Sequence, residues 1–130
     1  MTRETITAPD APAPVGPYSP AASAPGSELV FLSGQTPIDP TTGGLIEGDV
    51  FVQTQQVFAN LDQVLGAAGL SFAAVIKANV YLTSMDDFAA MNEAYATVFR
   101  APYPARTTVA VAGLPLGARV EIELVASSRS

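Results

Sequence analysis

Near the end of the chain, Arg119-Val120-Glu121-Ile122-Glu123-Leu124 alternates charged and apolar residues without a break. Successive side chains of a β-strand point to opposite faces, so the run fits a strand with Val120, Ile122 and Leu124 buried and Arg119, Glu121 and Glu123 on the other face. A helix would scatter both sets around its axis. The run therefore demands a sheet with apolar cover on one side, and two segments of helical period supply it. In the first, Val50, Val57, Phe58, Leu61, Val64, Leu65 and Ala68 recur at helical spacing, with Asp49 placed as N-cap and Gly69 at C′. The second begins at Ser84, where Ser84 and Asp87 resemble a capping box, and Phe88, Met91, Tyr95 and Val98/Phe99 form its buried stripe.

Four strands complete the plan: Glu28 to Ser33, Val75 to Leu82, Thr107 to Ala112 and Arg119 to Ala126. In the second of these, Ile76, Ala78, Val80 and Leu82 make the apolar set. Turns fall at Gly34, Pro37, Pro40 and Gly43-Gly44, and Gly113 to Gly117 joins the last two strands. Pro9 to Pro25, rich in Pro, Ala and Ser, reads as flexible, with an ordered part around Gly16-Pro17-Tyr18-Ser19. Strands alternating with two helices predict a single α+β domain over residues 1–130, a mixed sheet with two helices on one face.

Composition narrows the chemistry. The 130 residues contain no Cys and no His, so there is no thiolate or Ser-His nucleophile and no sulfur or imidazole metal ligand. Carboxylates, Arg, Lys77, Tyr, hydroxyls and amides remain. The net charge is −6 and the six basic residues are scattered, which argues against a nucleic-acid partner. No apolar run reaches the roughly 18 residues of a membrane span. The N-terminal ten residues lack the apolar region of a signal peptide, so a cytoplasmic protein is expected. Only 14% of residues are charged against about 25% in ordinary soluble domains, which predicts that part of the surface is buried against other subunits.

The face opposite the helices is where chemistry is expected. If Val109 and Val111 point at the helices, Arg106, Thr108 and Ala110 lie opposite, and Arg106, Thr108 and Glu121 would share one face. On patterning alone, a solvent-exposed face with routine ion pairs worth about 0–1 kcal/mol accounts for these charges. The low charge content favours an interface instead, where charges are costly unless paired or functional.

Several blocks together are more specific. They are Gly16-Pro17-Tyr18-Ser19, Leu32-Ser33-Gly34-Gln35-Thr36-Pro37, Gly48-Asp49, Gln53-Thr54-Gln55-Gln56, Asn60-Leu61, Ala68-Gly69, Asp87-Phe88, Met91-Asn92, Tyr95, Pro104-Ala105-Arg106-Thr107, Leu114-Pro115 and Val120-Glu121-Ile122-Glu123. In this order and spacing the chain resembles the Rid family (RidA/YjgF) of imine and enamine deaminases over nearly its whole length. The resemblance implies a chorismate-mutase-like fold, a homotrimer whose sheets form a central barrel, and ligand clefts between subunits. It implies that Arg106 grips the substrate carboxylate, a task suited to the two-pronged guanidinium. It further implies that Glu121 steers the attacking water, that Ser33 and Gly34 offer a backbone N–H to the carboxylate, and that Tyr18 and Asn92 line the cleft. Asn92 could equally serve to pin a loop, and Glu123 is expected to be a structural partner of Arg119 or of a neighbouring subunit. Thr108 stands where many members carry Cys, which bears on substrate preference more than on the reaction.

The reaction so implied is hydrolysis of a 2-imino acid, or its 2-enamino tautomer such as 2-aminoacrylate, to a 2-oxo acid and ammonia, without metal or organic cofactor. The partners are small 2-imino or 2-oxo acids and two further copies of the chain. Two readings compete with it: a trimeric module that binds small carboxylates without turnover, and a deaminase dedicated to one pathway. A ribonuclease, an activity also ascribed to parts of the family, fits poorly with a chain lacking His and any basic patch.

Overall fold

A computed structural model describes residues 2–129. Its six strands are β1 (Glu4–Ile6), β2 (Ala21–Ser23), β3 (Leu29–Gln35), β4 (Val75–Leu82), β5 (Ala105–Ala110) and β6 (Val120–Ser127). They form one sheet in the order β1-β2-β3-β6-β4-β5. Every neighbouring pair is antiparallel except β4 and β5, which run parallel. Helix α1 (Val50–Ala67) links β3 to β4 and helix α2 (Phe88–Tyr95) links β4 to β5. The mixed sheet with two helices expected from the sequence is present. No helix among the described residues is long and apolar enough to cross a membrane.

The helices are set by the signals the sequence carries. Asp49 Oδ1 accepts from the Val52 N–H at 2.9 Å, and Gly69 follows the last turn with φ +75°, a conformation costly for a Cβ-bearing residue. Val57, Phe58, Leu61, Val64 and Leu65 of α1 bury against Val30 and Leu32 of β3, Ala78, Val80 and Leu82 of β4, and Val120, Ile122 and Leu124 of β6. Phe58, Phe72, Tyr95 and Phe99 close one end with edge-to-face ring contacts 5.6–5.8 Å between centroids. Asn60, buried in the same helix, donates to the Thr36 and Ile38 carbonyls and so ties down the turns after β3.

Three local expectations are corrected. The Pro9–Pro25 stretch contributes β2, and its Ala11 and Ala21 are buried, so the sheet gains one strand there and another, β1, just before it, which composition alone hid. The capping-box residues instead build a 3₁₀ turn over Met85–Asp87, in which Ser84 Oγ accepts from the Asp86 N–H. Asp87 is thereby free to pair with Arg119 at 2.8 Å, and α2 stops at Tyr95, short of Val98 and Phe99. In β4 the pairing with β6 shifts between Val75 and Lys77, so Val75 is buried and Ile76 is turned outward.

Much of the sheet face away from the helices is left uncovered by the described residues. Leu29 and Phe31 of β3, Ile76 of β4 and Val109 of β5 are exposed there, Phe31 by 52%.

Candidate active site

The alternation in β6 places Glu121 and Glu123 on the open face, half-buried, while Val120, Ile122 and Leu124 enter the core. Glu121 rests against β3. A Cβ added at Gly34 would stand 2.9 Å from Glu121 Cδ, so only glycine leaves room for this carboxyl. The pairing of β3 with β6 shifts between Leu32 and Gln35, which lifts Ser33 and Gly34 out of the regular register. Ser33 Oγ donates to the Ser19 carbonyl at 2.6 Å and the Ser33 N–H to the Pro20 carbonyl at 2.9 Å, fixing the loop that carries Tyr18. Tyr18, Ser33, Gly34, Glu121 and Glu123 line a cavity of about 340 Å³ with Val15 and Pro115 at its mouth. Burial, reinforced by the neighbouring Glu123 charge, pushes the Glu121 carboxyl above its ordinary value.

Glu123 does not meet Arg119. Its Oε1 accepts from Tyr81 Oη and, at 3.3 Å, from Asn79 Nδ2, both on β4. Hydrogen bonding to Glu123, then burial, then the charges of Glu123 and Glu121 push the Tyr81 phenol up to about 12.

Arg106 lies elsewhere. On β5 it aligns with Ala78 of β4, which in turn aligns with Leu124 of β6, and both of those side chains are buried under the helices. Its guanidinium sits 4.7 Å over the Tyr95 ring and 5.7 Å from that of Phe88, and Nη1 donates to Asn92 Oδ1 at 2.7 Å. It forms no ion pair among the described residues. Thr108, two residues on, shares this face, and its buried hydroxyl has no partner. Asn92, Tyr95, Tyr103, Pro104 and Arg106 line a second cavity of about 300 Å³.

The expectation that Arg106, Thr108 and Glu121 share a face is thus overturned. β4 stands between β5 and β6, and Val109 points to the open face while Arg106 and Thr108 turn towards α2. The alternation misled because the apolar side chains of this edge strand are not the ones the helices cover. Two strand spacings and three residues separate Arg106 from Glu121, about 14 Å between Cα atoms on opposite faces. The chain therefore presents two candidate half-sites: Tyr18, Ser33, Gly34 and Glu121 in one, Asn92, Arg106 and Thr108 in the other. Sequence reading counted Tyr95 only as core and missed it as the surface on which Arg106 stacks. Its place three residues after Asn92, on the same helix face, was the available signal.

The described residues thus combine a mixed sheet under two helices with a guanidinium that has no ion pair on the helix side and a half-buried carboxyl on the open face. The chain belongs to the Rid family. The family pattern described as Endoribonuclease L-PSP matches residues 8–128. A Mus musculus protein named 2-iminobutanoate/2-iminopropanoate deaminase is 43% identical over 126 residues, covering 97% of this chain and 92% of that one. The crystal structure of RidA from an Antarctic Psychrobacter superposes with a TM-score of 0.90 at 44% identity, over 95% of this chain and 98% of the other. That of E. coli TdcF with bound serine gives 0.88 at 40% identity, over 98% and 99%.

Proposed function

We propose that the chain is an imine and enamine deaminase that hydrolyses 2-imino acids or their 2-enamino tautomers to 2-oxo acids and ammonia, in clefts between the subunits of a homotrimer. The observation that carries this reading is the state of Arg106, held rigidly by Asn92 and Tyr95 yet without a carboxylate partner among the described residues. A guanidinium so placed receives a planar carboxylate through two parallel hydrogen bonds. The deaminase named in mouse and the serine bound to TdcF, a carboxylate next to a nitrogen-bearing carbon, support the same substrate class.

Because the half-sites face opposite ways, one site takes Arg106, Asn92 and Thr108 from one subunit and Glu121 with Tyr18, Ser33 and Gly34 from the next. The uncovered apolar face supports that assembly. The Ser33 N–H is already taken by Pro20, which leaves the Gly34 amide as the second anchor for the carboxylate. Thr108 offers its unpartnered hydroxyl. In the cleft, water adds to C2 of the C=N bond as Glu121 takes its proton. The proton passes to the nitrogen of the resulting carbinolamine, the C–N bond breaks as the carbinol hydroxyl gives its proton back to Glu121, and ammonia leaves a 2-oxo acid. Fixing the reactants side by side and one acid–base carboxyl suffice for a reaction that already proceeds in water.

Imines generated in place by an amino-acid oxidase, with ammonia release followed, test the reading. Acceleration over the enzyme-free control is expected. Rates equal to the control across small, branched and aromatic imines would leave a carboxylate-binding module.

A further inference from the structure

Glu121 and Glu123 sit two residues apart on one face of β6, about 6.6 Å along the strand, and line the same cavity. Their surroundings differ sharply. Glu123 accepts two hydrogen bonds on one oxygen, from Tyr81 and Asn79. Glu121 accepts none from a side chain among the described residues. The register makes this uneven treatment notable, because Tyr81 stands directly across from Glu121 and Asn79 across from Glu123. The phenol that could have bonded Glu121 reaches diagonally to Glu123 instead.

We propose that Glu123, pinned by Tyr81 and Asn79, is a positioning residue whose fixed negative charge stands behind Glu121 and holds that carboxyl ready to exchange a proton with the reacting water. The inference rests on the deaminase reading. Glu121 is faced by Glu123 on its own strand, Tyr81 on β4, Ser33 and Gly34 on β3, Tyr18 from the N-terminal loop and Pro115 from the last turn. The titratable groups among these are Glu123, Tyr81 and Tyr18, and no cation among the described residues lines the cavity. The charge on Glu123 therefore goes uncompensated on this side. Tyr81 keeps its proton up to about 12, so it remains the donor that orients Glu123 throughout the working range.

The arrangement suits the chemistry. Imine hydrolysis needs one group to take a proton from water and return it to nitrogen, which a carboxyl of ordinary acidity does poorly near neutral pH. When Arg106 of the neighbouring subunit enters the cleft, its positive charge favours the ionised form of Glu121. The negative charge of Glu123 opposes that pull and keeps Glu121 from being locked as the partner of Arg106.

Glu123→Gln keeps the shape and an oxygen acceptor for Tyr81 and Asn79 while removing the charge. Carbon-13 NMR of the glutamate carboxyls, with pH profiles of kcat/KM for a small imine, reads the effect. The expected result is a Glu121 midpoint about one pH unit lower, with the acid limb of kcat/KM moving by the same amount. A midpoint and limb that stay in place while activity falls evenly at every pH would make Glu123 merely structural and overturn the proposal. Tyr81→Phe provides a second test that leaves both carboxyls intact. Without its donor, Glu123 is no longer fixed behind Glu121 and the Glu121 midpoint falls; an unmoved Glu121 midpoint in this variant also overturns it. The carboxyl titration needs no turnover, so a wild-type protein that fails to hydrolyse imines sinks the deaminase reading separately.

Discussion

The Arg106 side chain is held by three contacts: the faces of Tyr95 and Phe88, and the Asn92 amide. A lysine at 106 would keep the charge but lose the flat surface that stacks on Tyr95 and the second prong for the carboxylate. Arg106→Lys is therefore expected to lower kcat/KM about as much as Arg106→Ala, by roughly ten- to a hundred-fold, in the coupled ammonia assay. Near-complete rescue by lysine would mean that Arg106 acts by simple attraction. Glu121 makes a prediction about stability. Burial raises its carboxyl above the unfolded value, so the folded state binds that proton more tightly. The contribution is complete below about pH 4.5 and is lost as pH rises through the folded value. Glu121→Gln is expected to melt higher than wild type near neutral pH, with the gap closing towards about pH 4. A gap of constant size across that range would show that Glu121 carries no buried-charge penalty.

At the scale of elements, α1 does more than cover the sheet. Asn60 is buried, accepts from Gln56 at 2.9 Å and donates to two carbonyls of the segment that follows Ser33 and Gly34. Asn60→Ala would orphan those groups, and urea denaturation should show a loss of about 1–3 kcal/mol. A loss near zero would mean that water replaces the amide at no cost. The elements that the sequence revealed are those whose burial matches their periodicity: α1 from Asp49 to Gly69, β4 from Lys77 onward, and β6. Those it concealed owe their form to the rest of the molecule. β1 and β2 are three residues each, too short to show alternation, and exist because β3 offers an edge. The facing of β5 was misread because the apolar Val109 is exposed on the open face, while Arg106 is accommodated on the helix side by a stack and an amide that no period reveals. The seven candidate site residues lie in two separate groups, Tyr18, Ser33, Gly34 and Glu121 in one and Asn92, Arg106 and Thr108 in the other.

For the molecule as a whole, the open face is where the proposed trimer would be joined. Phe31, Val109 and Ile76 are apolar and exposed, so association is expected to withstand high salt and to give about three times the 13.4 kDa chain mass by light scattering. Phe31→Glu should dissociate it and abolish turnover together; a stable, active monomer would refute the shared cleft. The placement of Arg106 and Glu121 on opposite faces has a genetic corollary. Two dead proteins, Arg106→Ala and Glu121→Gln, should complement each other when unfolded and refolded together. Around any mixed ring of three, one junction pairs an intact arginine with an intact glutamate, so an equal mixture recovers about a quarter of wild-type activity. Neither parent lineage alone can produce a working junction, and inheritance of the activity would belong to the pair.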